Sequence, residues 1–366
     1  MAHSLARVCA SVLVLGLAAS CGKGGSGGGA AAPAVDASRI ASGCFQGGIS
    51  PELQIGSGFS AADWNDPHVL KVGAQYWMYA SSNLGFPPAG PASSPVQIYR
   101  FTSSDATSWT LDPSTPVLTV NSGQWDEGGN ETPAVVSFGG KYHIFWTGYP
   151  DAWPNLNAMN FKIGHATSSD GIVWTKDATF LLGPSGVSGD FDQFIVGEPG
   201  PVVFNNTLYL YFTAVGVDST LVPANSLQVV GVTTTADGVA WSAPAQAFKP
   251  DQSVYPRASD WVGYSTPNAA VIAGKVHVFV DVANDHGNGT WTQEALHHAY
   301  SADGLTGWVQ DPAPLRRLTD FAWTQREIRS GAALLDGTTL RLYFAGDDLG
   351  NTNVWGIGQI TCSLAP

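Results

Sequence analysis

Residues 66–81 read DPHVLKVGAQYWMYAS, which is a short apolar strand, a turn at Gly73 and a second strand rich in aromatic residues. The same pattern occurs five times along the chain. The five copies start at spacings of 65, 67, 67 and 65 residues, at Asp66, Glu131, Glu198, Ser265 and Ser330. A regular period of this kind is the sequence signature of a fold built from repeated units.

The second half of each unit repeats as well, as in FKIGHATSSDGIVW at residues 161–174. It predicts a third strand, a turn containing aspartate, and a tryptophan that begins a fourth strand. These tryptophans are Trp109, Trp174, Trp241 and Trp308. We interpret the turn aspartates as residues that hydrogen-bond their own backbone, and the tryptophans as packing between units. Five such units predict an all-β, five-bladed β-propeller with four-stranded blades, in which radial repetition protects the sheet edges.

The two ends of the chain are predicted to complete one blade together. The fifth unit ends after its third strand, which contains Cys362, and residues 44–55 (CFQGGISPELQI) remain available as the fourth strand. The ring is therefore expected to close by pairing of the N- and C-terminal segments. A disulfide between Cys44 and Cys362 is predicted to fasten them, since an exported protein meets an oxidising compartment.

The N-terminus has the pattern of a bacterial lipoprotein signal. Arg7 precedes an apolar run from Val8 to Leu17, and the sequence AASC at residues 18–21 is similar to a lipobox with Cys21 as the lipidated residue. Residues 1–20 are predicted to be a signal peptide, 21–40 a flexible Gly/Ala/Pro linker and 41–366 the propeller domain. The protein is expected at the cell envelope, on the outer membrane or cell surface, held to the membrane through its lipid only.

Composition limits the class of partner. The chain has 366 residues, of which 44% are hydrophobic and only 12% charged, and its formal net charge is −13. Nucleic acid is excluded as a partner, because binding to a phosphate backbone depends on clustered lysine and arginine. A neutral or polar small molecule fits this composition better, and a monomer is expected.

Acidic residues stand just before the first strand in three of the units. In a propeller the first strand of each blade lines the central channel, so these residues are expected at the mouth of one axial pocket. Asp66, Glu131 and Glu198 are taken as equivalent positions, with Ser265 and either Arg329 or Ser330 in the last two units. Converging carboxylates perturb one another's pKa values and are common in acid–base catalysis. The three acids are therefore candidate catalytic residues.

The sequence WNDPHV at residues 64–69, with its glycine turn and YWMYAS, resembles the first blade of the five-bladed propeller glycoside hydrolases. This superfamily includes arabinanases, β-xylosidases, invertases and levansucrases, and family 43 is closest in pattern. The resemblance implies that Asp66 is the base or nucleophile, and that Glu198 in GEPGP (residues 197–201) is the general acid. It implies cleavage of O-glycosidic bonds in arabinose-, xylose- or fructose-type glycans, by an inverting or a retaining mechanism.

Two alternatives stay open. Members of the superfamily place acids on the first, third and fourth blades, whereas the fourth unit here offers Ser265. The third acid is then either Glu131, which would tune the proton donor and position substrate, or Asp192, six residues before Glu198. The alternative function is a glycan-binding surface lipoprotein that has kept the scaffold and lost catalysis.

Further side chains are predicted to bind the sugar. The loops that join second and third strands are expected to open on the same face as the acids, and aromatic and polar residues there suit a carbohydrate site. The predicted substrate-binding residues are Trp64, His68, Trp153, Asp192, Asp285, Trp291 and Arg329. For His68 a position in the core is the alternative. No cofactor is required and no metal ligand is assigned, while a structural ion in the channel is left open.

Overall fold

The chain is built almost entirely of short antiparallel strands. The computed structural model describes residues 34–47, 64–82, 95–151, 157–218, 225–251, 253, 261–285, 291–347 and 355–366. The predicted signal peptide and Cys21 lie outside the described residues, and so does most of the linker. Residues 34–366 belong to one compact unit. Of the helices in the described ranges, none has the length and apolar character needed to cross a membrane.

The strands follow the repeats read from the sequence, and we number the units accordingly. Unit 1 contains β2 (Asn65–Val72), β3 (Gln75–Ser82), β4 (Gln97–Ser103) and β5 (Thr110–Leu111). Unit 2 contains β6 (Gly129–Phe138), β7 (Lys141–Tyr149), β8 (Lys162–Ser168) and β9 (Thr175–Lys176). Unit 3 contains β10 (Ile195–Phe204), β11 (Thr207–Asp218), β12 (Asn225–Thr235) and β13 (Ala245–Phe248).

Unit 4 contains β14 (Trp261–Ile272), β15 (Lys275–Asp285), β16 (Trp291–Ser301), β17 (Val309–Gln310) and β18 (Arg316–Arg317). Unit 5 contains β19 (Glu327–Asp336), β20 (Thr339–Asp347), β21 (Trp355–Ser363) and β1 (Gln46–Gly47). Short 3-10 helices cover Ala37–Ser42, Ala158–Asn160 and Leu318–Asp320.

Units 1, 2 and 5 are separate four-stranded antiparallel sheets, as predicted. Units 3 and 4 differ, because β12 and β14 pair in parallel at Gln228 and Gly263 and so join the two units into one nine-stranded sheet. Gly263 has φ 143°, and a Cβ atom at this position would clash with the backbone of Gln228. The absence of a side chain therefore permits this close approach.

The turns between third and fourth strands are held as predicted. In unit 2, the Asp170 carboxylate accepts the backbone N–H groups of Ile172 and Val173, both at 2.9 Å. These hydrogen bonds hold the pKa of Asp170 below its usual value. Equivalent bonds form around Asp105, Asp237 and Asp303. The aspartates are turn formers, which confirms their structural interpretation.

Each of these turns reaches the preceding unit. The Tyr79 hydroxyl of unit 1 donates to the Gly171 carbonyl of unit 2 at 2.8 Å, and Tyr211 of unit 3 donates to Gly304 of unit 4 at 2.6 Å. Tyr343 of unit 5 donates to the Ala106 carbonyl of unit 1 at 2.9 Å. The last of these bonds joins the end of the repeat series to its beginning.

The apolar core lies between consecutive units. One cluster of buried residues lies between units 1 and 2, and others lie between 2 and 3, 3 and 4, and 4 and 5. A further cluster combines Met78, Phe101 and Trp109 of unit 1 with Tyr343 and Ile357 of unit 5. The prediction that Trp109 packs between units is confirmed.

The chain ends meet in unit 5. Residues Gln46 and Gly47 of β1 pair antiparallel with Thr361 and Ile360 of β21. Beside this pair, Cys44 and Cys362 form a disulfide across 318 residues of sequence, with their Cα atoms 5.1 Å apart. The predicted pairing of the two cysteines is confirmed.

Candidate active site

The first strand of every unit carries a β-bulge near its start. In units 1–4, the residue that opens the bulge has a left-handed backbone, with φ of 53° at Asp66, 50° at Thr132, 52° at Glu198 and 47° at Thr266. A positive φ is costly for these residues, and above all for a β-branched threonine. Strained backbone of this kind gathers at functional sites, and bulges re-aim side chains there.

The bulge corrects the predicted alignment of the acids. Asp66 and Glu198 do occupy the same position, the first residue of the bulge. Glu131 stands one residue earlier, where it pairs with Thr147, and Ser265 shares this earlier position through its pairing with Asp281. In unit 5 the bulge lies between Ser330 and Ala333, so Arg329, which pairs with Ala345, stands two residues before it. Glu131 was placed level with Asp66 because the acids were aligned with one another, whereas aligning Pro67 with Pro133 places Thr132 level with Asp66.

Backbone N–H groups at the bulge, or in unit 5 at the residue just before it, are bound by the preceding unit. The Glu198 N–H donates to Thr147 Oγ1 at 2.7 Å, and the Thr266 N–H donates to Thr213 Oγ1 at 2.9 Å. The Thr132 N–H donates to Asp66 Oδ2 at 3.3 Å, and the Ser330 N–H donates to Asp281 Oδ2 at 3.0 Å. These four bonds tie the first strands of the five units into one series.

Asp66 is buried, with only 6% of the residue exposed. Its Oδ2 accepts the Ser81 hydroxyl at 2.5 Å besides the Thr132 N–H, while its buried Oδ1 has no hydrogen-bond partner in the described protein. Burial raises the pKa of Asp66, the charge of Arg329 lowers it, and the charge of Glu198 raises it further. An unpaired buried carboxylate oxygen is costly unless water or a ligand binds it.

Glu131 and Glu198 are both partly exposed. The Tyr149 hydroxyl donates to Glu131 Oε2 at 3.2 Å, and Glu198 Oε2 accepts the Thr266 N–H at 3.1 Å. Burial first, and then the charges of Asp66 and Glu198, raise the pKa of Glu131 to about 8. The three predicted acids therefore act on one another electrostatically, and Glu131 is protonated at neutral pH.

A fourth carboxylate, Asp281 of β15, belongs to the same group of charges. It is fully buried, and it accepts the Ser265 hydroxyl as well as the Ser330 N–H. Burial and the charge of Glu198 raise the pKa of Asp281 to about 7. Sequence reasoning passed over this residue because it looked for acids before the first strand. The available signal was a single aspartate inside the apolar strand VHVFVDV at residues 276–282.

Arg329 supplies positive charge to the group. Its guanidinium donates to Glu327 Oε2 at 3.0 and 3.2 Å and lies over the Trp355 ring at 4.5 Å. Burial lowers the pKa of Arg329, but the charges of Glu327, Asp66, Glu198 and Asp281 together raise it above its usual value. Its side chain remains 29% exposed, so it can contact a ligand.

Two predicted substrate-binding residues lie in the interior instead. Trp64 is 2% exposed and packs edge-on against Tyr99 and Phe101, so its ring offers no face to a sugar. His68 is also buried, and its Nδ1 accepts the Val135 N–H at 3.2 Å. Burial lowers the pKa of His68 to about 4, so it is neutral at pH 7. Trp64 and His68 are therefore core residues, and the prediction that they bind substrate is wrong.

The remaining predicted substrate-binding residues are Asp192, Asp285, Trp291 and Trp153. Asp192 is buried in the turn before β10, where its backbone carbonyl accepts the Ser185 N–H at 3.1 Å. Asp285 and Trp291 are paired residues at the ends of β15 and β16, and their side chains lie outside the described structure. Trp153 lies outside the described residues. Within the described ranges, no three His, Cys, Asp or Glu side chains are arranged to hold a metal ion.

Several solved structures that this fold resembles are glycoside hydrolases. A family 117 glycoside hydrolase, Zg3597 from the marine bacterium Zobellia galactanivorans, aligns with TM-score 0.60 and 15% identity over 88% of this chain and 90% of its own. The α-L-arabinofuranosidase PaAbf62A from Podospora anserina, in complex with cellotriose, aligns with TM-score 0.56 and 13% identity over 87% and 97%. The catalytic domain of a family 62 α-L-arabinofuranosidase from Coprinopsis cinerea aligns with TM-score 0.57 and 13% identity over 87% and 98%.

No family model matches the sequence, and no curated protein matches it significantly. The structural likeness nevertheless extends over most of each chain. In fold, the chain resembles the five-bladed propeller glycoside hydrolases, as its first unit predicts. At identities this low the likeness concerns the fold, and function has to be argued from the site.

Proposed function

We propose that the protein is a glycoside hydrolase that cleaves O-glycosidic bonds through the carboxylates of its first three units. The observation that carries this proposal is the group formed by Asp66, Glu131 and Glu198. These acids come from three separate units, the charge of Glu198 raises the pKa of both Asp66 and Glu131, and Glu131 and Glu198 are partly exposed. Paired carboxylates of different protonation state are what glycosidic cleavage requires, since one gives a proton and the other stays ionised.

We propose further that the five units form one closed, five-bladed propeller. Core clusters between each pair of consecutive units support this architecture, including the cluster between units 5 and 1. The Tyr343–Ala106 hydrogen bond and the β1–β21 pair support closure. A closed ring brings the starts of all first strands to one mouth, where the acids can act on a single substrate.

In the proposed mechanism Asp66 acts as base on water, or as nucleophile, through its unpaired Oδ1. Two carboxyls are candidates for the proton donor. The family resemblance supports Glu198, whereas the pKa of about 8 supports Glu131, which carries a proton at neutral pH and is partly exposed. Substrates with an activated leaving group decide between them, because such substrates need little help from an acid. The variant that recovers on these substrates has lost the donor.

The proposed substrates are arabinose-, xylose- or fructose-type glycans, with arabinofuranosides first. Two of the aligned structures are named as α-L-arabinofuranosidases, which supports this order. A site set among carboxylates and one arginine suits a neutral sugar bound by hydrogen bonds. No cofactor enters this mechanism, and a structural ion in the channel remains an untested alternative.

Export as a lipoprotein is part of the same proposal. The lipobox-like AASC sequence at residues 18–21 supports it, and a Cys44–Cys362 disulfide suits an oxidising compartment. Expression of the chain with and without Cys21→Ala, followed by detergent partitioning and mass spectrometry, tests it. The parent chain should carry acyl groups on Cys21 and enter the detergent phase, and the variant should do neither.

The decisive experiment is a turnover assay. The purified protein is incubated with arabino-, xylo-, fructo- and galacto-oligosaccharides beside Asp66→Asn and Glu198→Gln variants. We expect the parent to release reducing sugar, and Asp66→Asn to lose at least about 100-fold in kcat/KM. If the parent binds a sugar without cleaving any, and both variants still bind, the protein is a glycan-binding lipoprotein on the same scaffold.

A further inference from the structure

At the position of Asp281, units 2 and 3 have uncharged side chains that make the same hydrogen bond to the next unit. Asp281 is the sixth residue after the start of β15, as Thr147 is in β7 and Thr213 is in β11. Each of these side chains accepts a backbone N–H near the start of the first strand of the next unit: Glu198 for Thr147, Thr266 for Thr213 and Ser330 for Asp281. A threonine hydroxyl is therefore sufficient to hold this junction.

The carboxylate at this position exceeds what the junction needs. Asp281 is fully buried, and burying a carboxylate costs much more than burying a hydroxyl. Unit 1 contains the same pair in reverse, since Asp66 on β2 accepts the Ser81 hydroxyl of β3, whereas Asp281 on β15 accepts the Ser265 hydroxyl of β14. A charge retained at such a cost points to a use beyond packing.

The groups around Asp281 indicate that use. Ser265 faces it from its own unit, Glu198 from unit 3, and Ser330 with Arg329 from unit 5. The charge of Glu198 in turn acts on Asp66 and Glu131. The Arg329 guanidinium is bound by Glu327 and lies over the Trp355 ring, while Asp281 binds the backbone N–H of the next residue, Ser330.

We propose that Asp281 is a positioning residue for Arg329. Through the Ser330 N–H it anchors the backbone next to Arg329, and as a carboxylate it supplies part of the charge that keeps the guanidinium among the acids. Arg329 thereby presents its exposed part to the substrate in one orientation. The role at the substrate rests on the proposed hydrolase function, but the link between Asp281 and Arg329 is tested below by unfolding alone.

The test compares Asp281→Thr, which keeps the acceptor as Thr147 and Thr213 do, with Asp281→Val, which removes it. Both are made in the parent and in an Arg329→Met background, and urea unfolding is measured at pH 5 and pH 8. The pKa of Asp281 is raised to about 7, so the carboxyl is protonated at pH 5 and ionised at pH 8. Only at pH 8 can its charge act on Arg329.

At pH 8 we expect Asp281→Thr to raise the unfolding constant less in the Arg329→Met background than in the parent. The two effects should differ by about tenfold or more. At pH 5 the two backgrounds should respond alike, and Asp281→Val should be the less stable variant throughout. Equal responses at both pH values would overturn the proposal, because Asp281 would then act only as an acceptor. It would also fall if Asp281→Thr were as unstable as Asp281→Val.

A second measurement applies if Arg329→Met does not fold. A raised carboxyl pKa means that the folded state holds this proton more tightly, so stability is lost as pH rises from about 4 towards 7. Asp281→Thr should therefore lose less stability than the parent between pH 5 and pH 8. An unchanged pH dependence would contradict the proposal.

If the parent cleaves a sugar, Asp281→Thr should raise its KM about fivefold or more while the fold is kept. An unchanged KM would remove the role at the substrate. If no sugar is cleaved, the proposed hydrolase function fails, but the unfolding results still decide whether Asp281 and Arg329 act together.

Discussion

At the scale of single residues, the site depends on carboxylates placed in backbone conformations that they rarely adopt. Asp66 and Glu198 both open a bulge with positive φ, and each is followed by a proline, Pro67 or Pro199. Proline restricts its own φ and disfavours helical backbone in the residue before it. The strain is sustained by hydrogen bonds to neighbouring units, so the surrounding fold determines where these carboxylates lie.

Glu131 should make stability depend on pH. Its folded-state pKa of about 8 lies above that of an unfolded glutamate, so the folded protein binds this proton more tightly. The parent should therefore lose stability as pH rises from about 4 to about 8, while Glu131→Gln should be less sensitive. The expected difference reaches a few kcal/mol at the alkaline end, measured by urea unfolding at pH 5 and pH 8.5.

Glu127→Gln, on the exposed surface of the same unit, is the control for this measurement. If the free energies of unfolding of Glu131→Gln and of the parent fall in parallel across the pH range, Glu131 does not hold a proton in the folded state. Glu131 would then be unsuited to the role of proton donor.

The first strands illustrate how much of the site the sequence could predict. The motif WNDPHV located Asp66, and the repeat located Glu198 at the equivalent position in unit 3. Glu131 was found but placed one residue out of register, because the acids were aligned with one another and not the prolines Pro67 and Pro133 that follow the first bulge residue. Asp281 was missed because it comes from a second strand and meets the other acids only after the units pack together.

At the scale of the elements, the turns between third and fourth strands connect one unit to the next. Gly238 of unit 3 packs on His143 of unit 2 with φ 77°, and a Cβ there would lie 2.9 Å from Cε1 of His143. Gly274 has nearly the same φ, 74°, but nothing lies within 4 Å of its Cβ position. Substitutions at these two glycines therefore distinguish the cost of backbone strain from the cost of a clash with the neighbouring unit.

We expect Gly274→Ala to cost about 1 kcal/mol in free energy of unfolding, from the left-handed backbone alone. Gly238→Ala should cost about 1–3 kcal/mol more, since its methyl group collides with the imidazole of the neighbouring unit. Urea unfolding of both variants measures the difference. Equal costs would mean that this contact contributes little to holding units 2 and 3 together.

Units 2 and 4 each contain a hydrogen-bonded pair of histidines, one of which is also bonded to an aspartate. His143, His165 and Asp177 are linked at 2.9 and 2.8 Å, and His277, His298 and Asp311 are linked at 2.9 and 2.9 Å. The aspartates differ in exposure, because the Asp177 side chain is 50% exposed and that of Asp311 only 6%. Screening by water should weaken the first pair more than the second.

Asp311→Asn should therefore reduce the free energy of unfolding by about 2–4 kcal/mol, and Asp177→Asn by about 1 kcal/mol or less. The two substitutions are matched in chemistry and in place within the unit, so each is the control for the other. Thermal or urea unfolding at pH 7 gives both values. A larger loss from Asp177→Asn would contradict the assigned difference in burial.

At the scale of the whole molecule, the repeats made most of the architecture predictable. Period, turn chemistry and the incomplete fifth unit led to the strand order and to the pairing of Cys44 with Cys362. The parallel contact between Gln228 and Gly263 was not predictable, because it depends on how units 3 and 4 approach in space. The function was partly predictable from the sequence, since the fold supports a hydrolase but only the site can identify the substrate.

The disulfide should contribute strongly to stability because it closes a loop of more than 300 residues. A chain-entropy model gives about 6 kcal/mol for a loop of this length, an upper estimate since native strain and unfolded-state structure reduce it. The double variant Cys44→Ser/Cys362→Ser should unfold at lower urea concentration than the parent. Reduction of the parent should reproduce the loss, and a parent insensitive to reduction would contradict the assignment.

The most direct test of the central claim is a crystal structure of the Asp66→Asn variant soaked with an arabino- or xylo-oligosaccharide. We predict a sugar at the mouth of the ring, with the glycosidic oxygen within hydrogen-bonding distance of Glu131 or Glu198 and the anomeric carbon facing residue 66. A sugar bound away from these carboxylates, or carboxylates that do not share one cavity, would contradict the proposed hydrolase.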